Sequence, residues 1–304
     1  MFMRRCLDSW FFYNFCRDVT AWGSALVLLI MLVFGFGAPI LAPHNPYDIA
    51  TIDILDAQTA PEWMSGGSSN FILGTDSQGR DLYSTMLYGL RVSIIIGFGA
   101  VALQASIGII VGLLAGYMGG KLDAILMRIA DVQLSFSTYM VAIFFGAIFQ
   151  AAFGFEFYQE MAVPMLIVII GIAEWPQYAR TVRASVLAER KKEYVEAARV
   201  VGLSRARIMF RHILPNTLTP VLVISTVQVA NAIMSEAALS FMGLGMPVTR
   251  PSLGSLIKAG FDFIFSGSWW ITLFPGIVLV VLVLAINLLG DWLRDFLNPK
   301  LYKG

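Results

Sequence analysis

The sequence predicts an all-α polytopic membrane protein with six transmembrane helices and both termini on the inner side. Three observations carry this. Of 304 residues, 58% are hydrophobic and 13% charged, and the mean hydropathy is +0.74, more apolar surface than one soluble core can hide. Uncharged stretches at 23–41, 92–120, 132–155, 213–235 and 263–290 are each long enough to cross a hydrocarbon layer of ~30 Å as a helix. The basic residues divide unequally between the two sides those stretches define.

The first stretch follows a short basic tail with Arg4, Arg5 and Arg17. It lacks the small-residue cleavage site of a secretory signal and is too long for a signal core, so it is expected to stay as an anchor. A sixth span is assigned to 161–179, although it holds Glu174 and Pro176; a single acid near a helix end can snorkel, and Glu174 is expected to do so or to pair with Arg180. With the N-terminus inside, seventeen lysines and arginines lie on inner segments and four, Arg80, Arg91, Arg250 and Lys258, on outer ones, which selects N-in and C-in. The formal charge of +1 leaves no global field to attract nucleic acid. Two cysteines, Cys6 and Cys16, are too few for a disulfide framework or a Cys-rich zinc site.

Residues 1–91 form a tail, the first span and a long outer loop from Ala42 to about Leu90, whose turn signals (Pro43, Pro46, Pro61, Gly66-Gly67) predict an external cap. Residues 92–304 form a core of five spans, with a second outer loop over 243–270 and a large inner loop over 180–216. No internal repeat is visible, which weakens an inverted-repeat secondary transporter.

In the inner loop, Tyr194, Ala197, Ala198 and Val201 fall at i, i+3, i+4 and i+7, one apolar stripe on a short helix with Glu193, Glu196 and Arg199 off it. Gly202 supplies a stop. Ser204 can cap a second helix on which Ala206, Met209, Phe210 and Ile213 repeat the spacing, with Arg205, Arg207, Arg211 and His212 on other faces. Leu214-Pro215 marks a change of direction into the next span. Such a helix-turn-helix offers a rigid knob to a soluble partner; a basic segment lying on anionic headgroups is the alternative, against which Glu193 and Glu196 argue.

Glu196-Ala197-Ala198, then Gly202, then Ile213-Leu214-Pro215 resembles the EAA motif of ABC importer permeases, the cytoplasmic loop that docks into a cleft on the ATPase subunit. The string from Tyr194 to Arg199 and that from Arg211 to Asn216 resemble the dipeptide/oligopeptide/nickel branch in particular. Leu73-Gly74-Thr75-Asp76 with Gly79-Arg80-Asp81 is similar to that branch's LGTDxxGRD box. Glu236 to Phe241 with Gly243-Leu244-Gly245 resembles its EAALSFLGLG segment, with Met242 for the usual Leu. Pro275-Gly276, Asn287, Gly290-Asp291, Leu293-Arg294-Asp295 and Pro299 echo its C-terminal signature. Two departures stand out: Phe136-Ser137 where the family commonly has Phe-Pro, and Pro251-Ser252-Leu253-Gly254 where it commonly has Pro-x-Trp-Gly.

The resemblance implies a permease subunit in the bacterial cytoplasmic (inner) membrane, surrounded by lipid. It would pair with a second homologous permease, two cytoplasmic ABC ATPases that bind ATP and Mg, and an extracytoplasmic substrate-binding protein. Short peptides are the leading substrate class, with nickel chelates and glutathione behind. Coupling would fall to Glu196, Ala197, Ala198, Gly202, Leu203, Ser204, Arg205 and Arg207, and the pathway to Glu236, Ser240, Phe136 and Ser137.

The remaining features have plain readings beside functional ones. Gly108, Gly112, Gly116 and Gly120 recur every four residues, a smooth strip for helix packing rather than a substrate contact. Glu236, at membrane depth, needs compensation, either from a hydrogen bond to a neighbouring helix or from a wet path. Asp76, Arg80 and Asp81 make a turn held by Asx bonds and an Arg–carboxylate pair, or by resemblance an outer entrance. The chain is expected to bind no cofactor and to be no enzyme itself: Ala115 to Leu122 lacks the first Gly and final Ser/Thr of a phosphate loop, and no metal spacing or GxSxG elbow is present. An ion-coupled transporter would want several buried acids, of which only Glu236 and Glu174 qualify, and a membrane hydrolase would want a paired nucleophile and base.

Overall fold

The computed structural model describes residues 10–48 and 52–297; Arg4, Arg5, Cys6, Pro299, Lys300 and Lys303 lie outside the described residues. Among the described residues the secondary structure is helical, with two isolated bridges, Ala60 to Gly67 and Thr75 to Asp81, and no strand. The α-helices of six or more residues are α1 (Trp10–Arg17), α2 (Val19–Phe36), α3 (Leu82–Met118), α4 (Gly120–Leu134), α5 (Thr138–Phe153), α6 (Phe155–Glu160), α7 (Ala162–Glu189), α8 (Glu193–Val200), α9 (Leu214–Phe241), α10 (Leu253–Phe261) and α11 (Trp270–Phe296). Helices α2, α3, α7, α11 and the continuous run Arg205–Phe241 are long and apolar enough to cross a membrane; α4 and α5 together would make a sixth crossing, bent by 95°.

That bend corrects the expected third span over 132–155. The helix stops at Leu134, where the Ser135 hydroxyl bonds the Asp131 carbonyl, and resumes after Ser137, whose backbone is extended. Serine hydroxyls compete for backbone groups and so favour helix ends over interiors. Other boundaries also move. Helix α3 starts ten residues before Val92, α7 runs on from Ala179 to Glu189 into the expected inner loop, and α11 starts at Trp270 rather than 263. The segment 243–270, expected as an outer loop without a helix, contains α10; Ser252 caps it through a box with Ser255 in place of the usual Glu or Gln.

The chain forms two compact units, residues 1–95 with 233–304, and residues 96–232. In the first, Asp18 caps α2 by accepting from Thr20 N and Ala21 N, and α2 and α10 both pack on α11. Leu82, Met86, Leu256, Trp270 and Ile271 form its core, with Ala60, Met64 and Leu73 of the 42–81 segment against it. Among the described residues of that segment, Asp76, Arg80 and Asp81 are buried as well.

In the second unit, α4 and α5 both pack on α7. Gly108, Gly112 and Gly116 line the side of α3 that meets α7. A Cβ on Gly112 would stand 2.5 Å from the Ala179 carbonyl oxygen and 2.8 Å from Val182 Cβ, and one on Gly116 2.8 Å from Val186 Cβ. Small residues at this spacing let two backbones approach within a membrane. Gly120 is not part of the strip: α3 ends at Met118, and Gly120 has nothing within reach of an added Cβ.

Candidate functional site

The elbow at 190–213 is built from local sequence rules. Helix α8 ends in a Schellman motif: Leu203 N donates to Ala198 O (3.1 Å), Gly202 N donates to Arg199 O (3.0 Å), and Gly202 takes φ +83° with open space where a Cβ would be. Backbone conformation, not crowding, therefore requires glycine there. Ser204 occupies an N-cap position with extended backbone, but its side chain makes no capping bond, contrary to expectation.

Leu214-Pro215 does not turn the chain; Arg205–Phe241 is continuous helix. Pro215 lacks the N–H that would bond the Arg211 carbonyl. The helix meets that gap with one π turn over Ile208–Ile213, in which Leu214 N donates to Met209 O five residues back. The wider turn also re-registers the apolar face. Ile208, Met209 and Ile213 are buried, while Ala206 and Phe210, both on the expected stripe, are exposed.

Helix α8 corrects the expectation further. Its buried residues are Val195 and Ala198, whereas Tyr194 and Ala197 are exposed, as are Val200 at 88% and Val201 at 77%. Glu196, Gly202, Ser204, Arg205 and Arg207 are exposed as well, and Leu203 is half-buried. The elbow thus presents apolar Ala197, Val200, Val201 and Phe210 among charged residues. It is tied to α3 by Arg190 Nη1 donating to Gly116 O (2.9 Å) and by the Arg199 guanidinium 5.8 Å from the Tyr117 ring centre.

Polar groups join α7 to α4 along their length. Pro176 lacks the N–H that would bond Ile172 O; Gln133 Nε2 donates to Ile172 O and, at 3.0 Å, to Ala173 O, and Gln133 Oε1 accepts from Trp175 Nε1 at 3.1 Å. The Gln133 amide stands in for the absent donor, a role the sequence signalled only by a proline in one span and an amide in another. Arg180 pairs with Asp131 (2.5 Å), and Arg183 grips Asp123 with Nε at 2.5 Å and Nη2 at 2.7 Å. Glu174 does not snorkel to the surface. It is 5% exposed and accepts from Gln104 Nε2 (3.2 Å) and Gln228 Nε2 (3.4 Å), because α3 and α9 bring buried amides to it.

Glu236 and Ser240 sit together in the first unit. Glu236 is fully buried, with Oε2 accepting from Ser93 Oγ (3.0 Å) and Oε1 from Ser240 Oγ (2.7 Å). Ser93 Oγ also accepts from Leu253 N (3.3 Å), and Ser240 Oγ from Met246 N (3.0 Å). One carboxyl thereby joins α3, α9 and the start of α10. Leu253, at the position of the family's Trp, is fully buried, and a Cβ on Gly254 would stand 2.8 Å from the Ala237 carbonyl oxygen. Phe136 and Ser137 lie in the break between α4 and α5, both exposed, in the other unit from Glu236.

The Asp76–Asp81 box is a closed turn. Arg80 Nε donates to Asp76 Oδ2 (2.7 Å), Asp76 Oδ1 accepts from Gln78 N (2.8 Å) and Arg80 N (3.0 Å), and Arg80 Nη1 reaches Val248 O (2.7 Å). Asp81 Oδ2 accepts from Ser84 N (2.9 Å), capping α3. All three side chains are buried, so the box braces the cap onto the 243–252 segment.

Two families match: residues 108–303 fit "Binding-protein-dependent transport system inner membrane component", and residues 9–61 fit "N-terminal TM domain of oligopeptide transport permease C". The dipeptide transport system permease protein DppC of Escherichia coli (strain K12) is 38% identical over 292 residues, 96% of this chain and 92% of its own. The di/tripeptide transport system permease protein DppC of Pseudomonas aeruginosa (strain UCBPP-PA14) is 35% identical over 291 residues, 96% and 91%. A chain of the MetNI methionine ABC transporter in inward-facing conformations superposes with a TM-score of 0.57 at 19% identity, over 70% of this chain and 96% of that one. The chain is a multi-pass membrane protein and belongs to the family of binding-protein-dependent transport system inner membrane components.

Proposed function

We propose that this chain is the permease subunit of an ATP-driven importer of short peptides. It crosses the bacterial inner membrane six times, with α4 and α5 as one bent crossing and both termini in the cytoplasm. It forms half of the pathway beside a second permease and holds no ATPase site of its own. ATP and Mg belong to two cytoplasmic ATPases, and an extracytoplasmic binding protein delivers the substrate. The curated relatives named for dipeptide transport support the substrate class.

The observation that carries the mechanism is the elbow's surface. Val200 and Val201 stand out at its tip beside exposed Glu196, Ala197, Arg205 and Arg207. Unpartnered apolar residues ringed by charge suit a protein cleft. Their neighbours Val195, Ala198, Ile208, Met209 and Ile213 are buried, so the knob is seated on the protein beneath it. Closure of the ATPase pair would move its clefts, and the elbow would carry that motion to α7 and α9, switching the bundle between inward- and outward-facing states. Glu236 and Ser240 act in this scheme as a buried brace between helices.

The test is reconstitution of the full complex carrying Glu196→Lys or Gly202→Pro. Both variants are expected to insert normally and to lose substrate-stimulated ATP hydrolysis. Normal coupling in both would refute the assignment, as would purification of a transport-competent complex lacking ATPase subunits.

A further inference from the structure

At the base of the elbow, polar groups from three segments converge on one hydroxyl. Tyr194 Oη donates to Glu189 Oε2 at 2.6 Å, and Glu189 is the last residue of α7. The same oxygen accepts from Asn216 Nδ2 at 3.1 Å, in the first turn of α9. Asn216 Nδ2 also donates to His212 O (2.8 Å), and Lys192 Nζ holds the other Glu189 oxygen at 2.6 Å.

The hydroxyl uses its one hydrogen on the carboxylate and a lone pair on the amide, so both bonds can stand at once. The bond to Glu189 is charge-assisted and short. Besides these bonds, α8 is held by buried Val195 and Ala198 and by the Arg199 guanidinium over the Tyr117 ring, contacts with little directionality. Apolar contacts keep an element in place but leave its angle soft, whereas directed hydrogen bonds fix orientation.

We propose that Tyr194 is a positioning residue of the coupling step. Its hydroxyl locks the elbow to the end of α7 and the start of α9, so that a push on the elbow displaces both helices together instead of tilting the elbow alone. This rests on the elbow reading above.

The experiment measures peptide moved per ATP hydrolysed in the reconstituted complex of both permeases, both ATPases and the binding protein. Tyr194→Phe keeps the ring and the apolar seat; it should copurify with the ATPases as the parent does and lower the ratio at least about fivefold, since it removes both hydrogen bonds of the hydroxyl and one alone is worth about that factor. Asn216→Leu should lower it too, and the double variant by less than the two effects combined, because the two share the bond at the Tyr194 oxygen while Asn216 also holds His212 O. Glu189→Gln retains an acceptor and should keep the parental ratio, while Glu189→Ala should not.

A parental ratio in Tyr194→Phe, with coupling lost in Gly202→Pro, overturns this proposal and leaves the elbow reading intact. Parental coupling in Gly202→Pro overturns both. If Tyr194→Phe fails to assemble, the Glu189 pair decides: equal ratios in Glu189→Ala and Glu189→Gln overturn the proposal, and loss confined to Glu189→Ala supports it.

Discussion

Gly112→Ala tests the packing of the second unit with one added methyl. The new Cβ would lie 2.5 Å from Ala179 O, 2.8 Å from Val182 Cβ and 3.0 Å from Arg183 N. Carbon contacts are comfortable at about 3.5–4.0 Å, so α3 and α7 must part by roughly 1 Å. No rotamer change relieves the contact, because the obstacles are backbone atoms and a Cβ. Overpacking of this kind costs ~1–3 kcal/mol, and replacing a mid-helix glycine by alanine returns up to about 1 kcal/mol. The unyielding neighbours place the cost near its upper end, leaving a net loss of about 1–2 kcal/mol. Gly146→Ala is the control, since its nearest neighbour would be Ile169 Cδ1 at 3.8 Å, and it should be neutral or stabilising. The assay is reversible unfolding of the purified protein in mixed micelles. Gly112→Ala matching or exceeding the parent, with Gly146→Ala behaving as stated, would show that the strip does not set the α3–α7 distance.

Gln133→Leu should lower stability in the same assay by about 1–3 kcal/mol, because it strips the donor from Ile172 O and Ala173 O beside Pro176 and the acceptor from Trp175; an unchanged midpoint would mean that the proline gap is met otherwise. Glu236→Leu should cost ~2–4 kcal/mol by leaving the Ser93 and Ser240 hydroxyls facing an apolar group, and Glu236→Gln much less; equal losses in the two would refute the brace. The Tyr194 phenol is pushed up from 10.0 to about 12, chiefly by partial desolvation of the hydroxyl at its hydrogen-bonded seat and then by its bond to Glu189. Since the folded state holds this proton longer than the unfolded one, its contribution to stability is full below pH 10.0 and is lost as pH rises towards about 12. Phenolate absorbance compared between the parent and Tyr194→Phe should show a late-titrating tyrosine missing from the variant, and identical late phases would contradict the assignment.

The membrane class was legible because spanning helices announce themselves by length and lack of charge. The Gly202 turn was legible because a positive φ at a helix end selects glycine almost alone. The Asp76–Arg80 turn was legible too, since its bonds join residues four apart in sequence. The third span misled because 132–155 carries no charge, and hydropathy is blind to two serines that redirect the backbone. The elbow stripes misled for a related reason: a 3.6-residue period does not run unbroken through a π turn, and Tyr194, apolar by its ring, is exposed and hydrogen-bonded through its hydroxyl.

What the sequence by itself determined is the solvent and the local turns: an apolar run must find hydrocarbon or a protein interior, and a backbone conformation must find a residue that tolerates it. What only the tertiary structure decided is where the uncharged polar groups and buried acids end. Gln133 reaches a carbonyl 39 residues away, Glu174 an amide 70 residues away and Glu236 a serine 143 residues away. Each of these groups pays for its burial with a partner that no local pattern announces, because hydrogen bonds depend on proximity in space, and helices far apart in the chain become neighbours only once they pack.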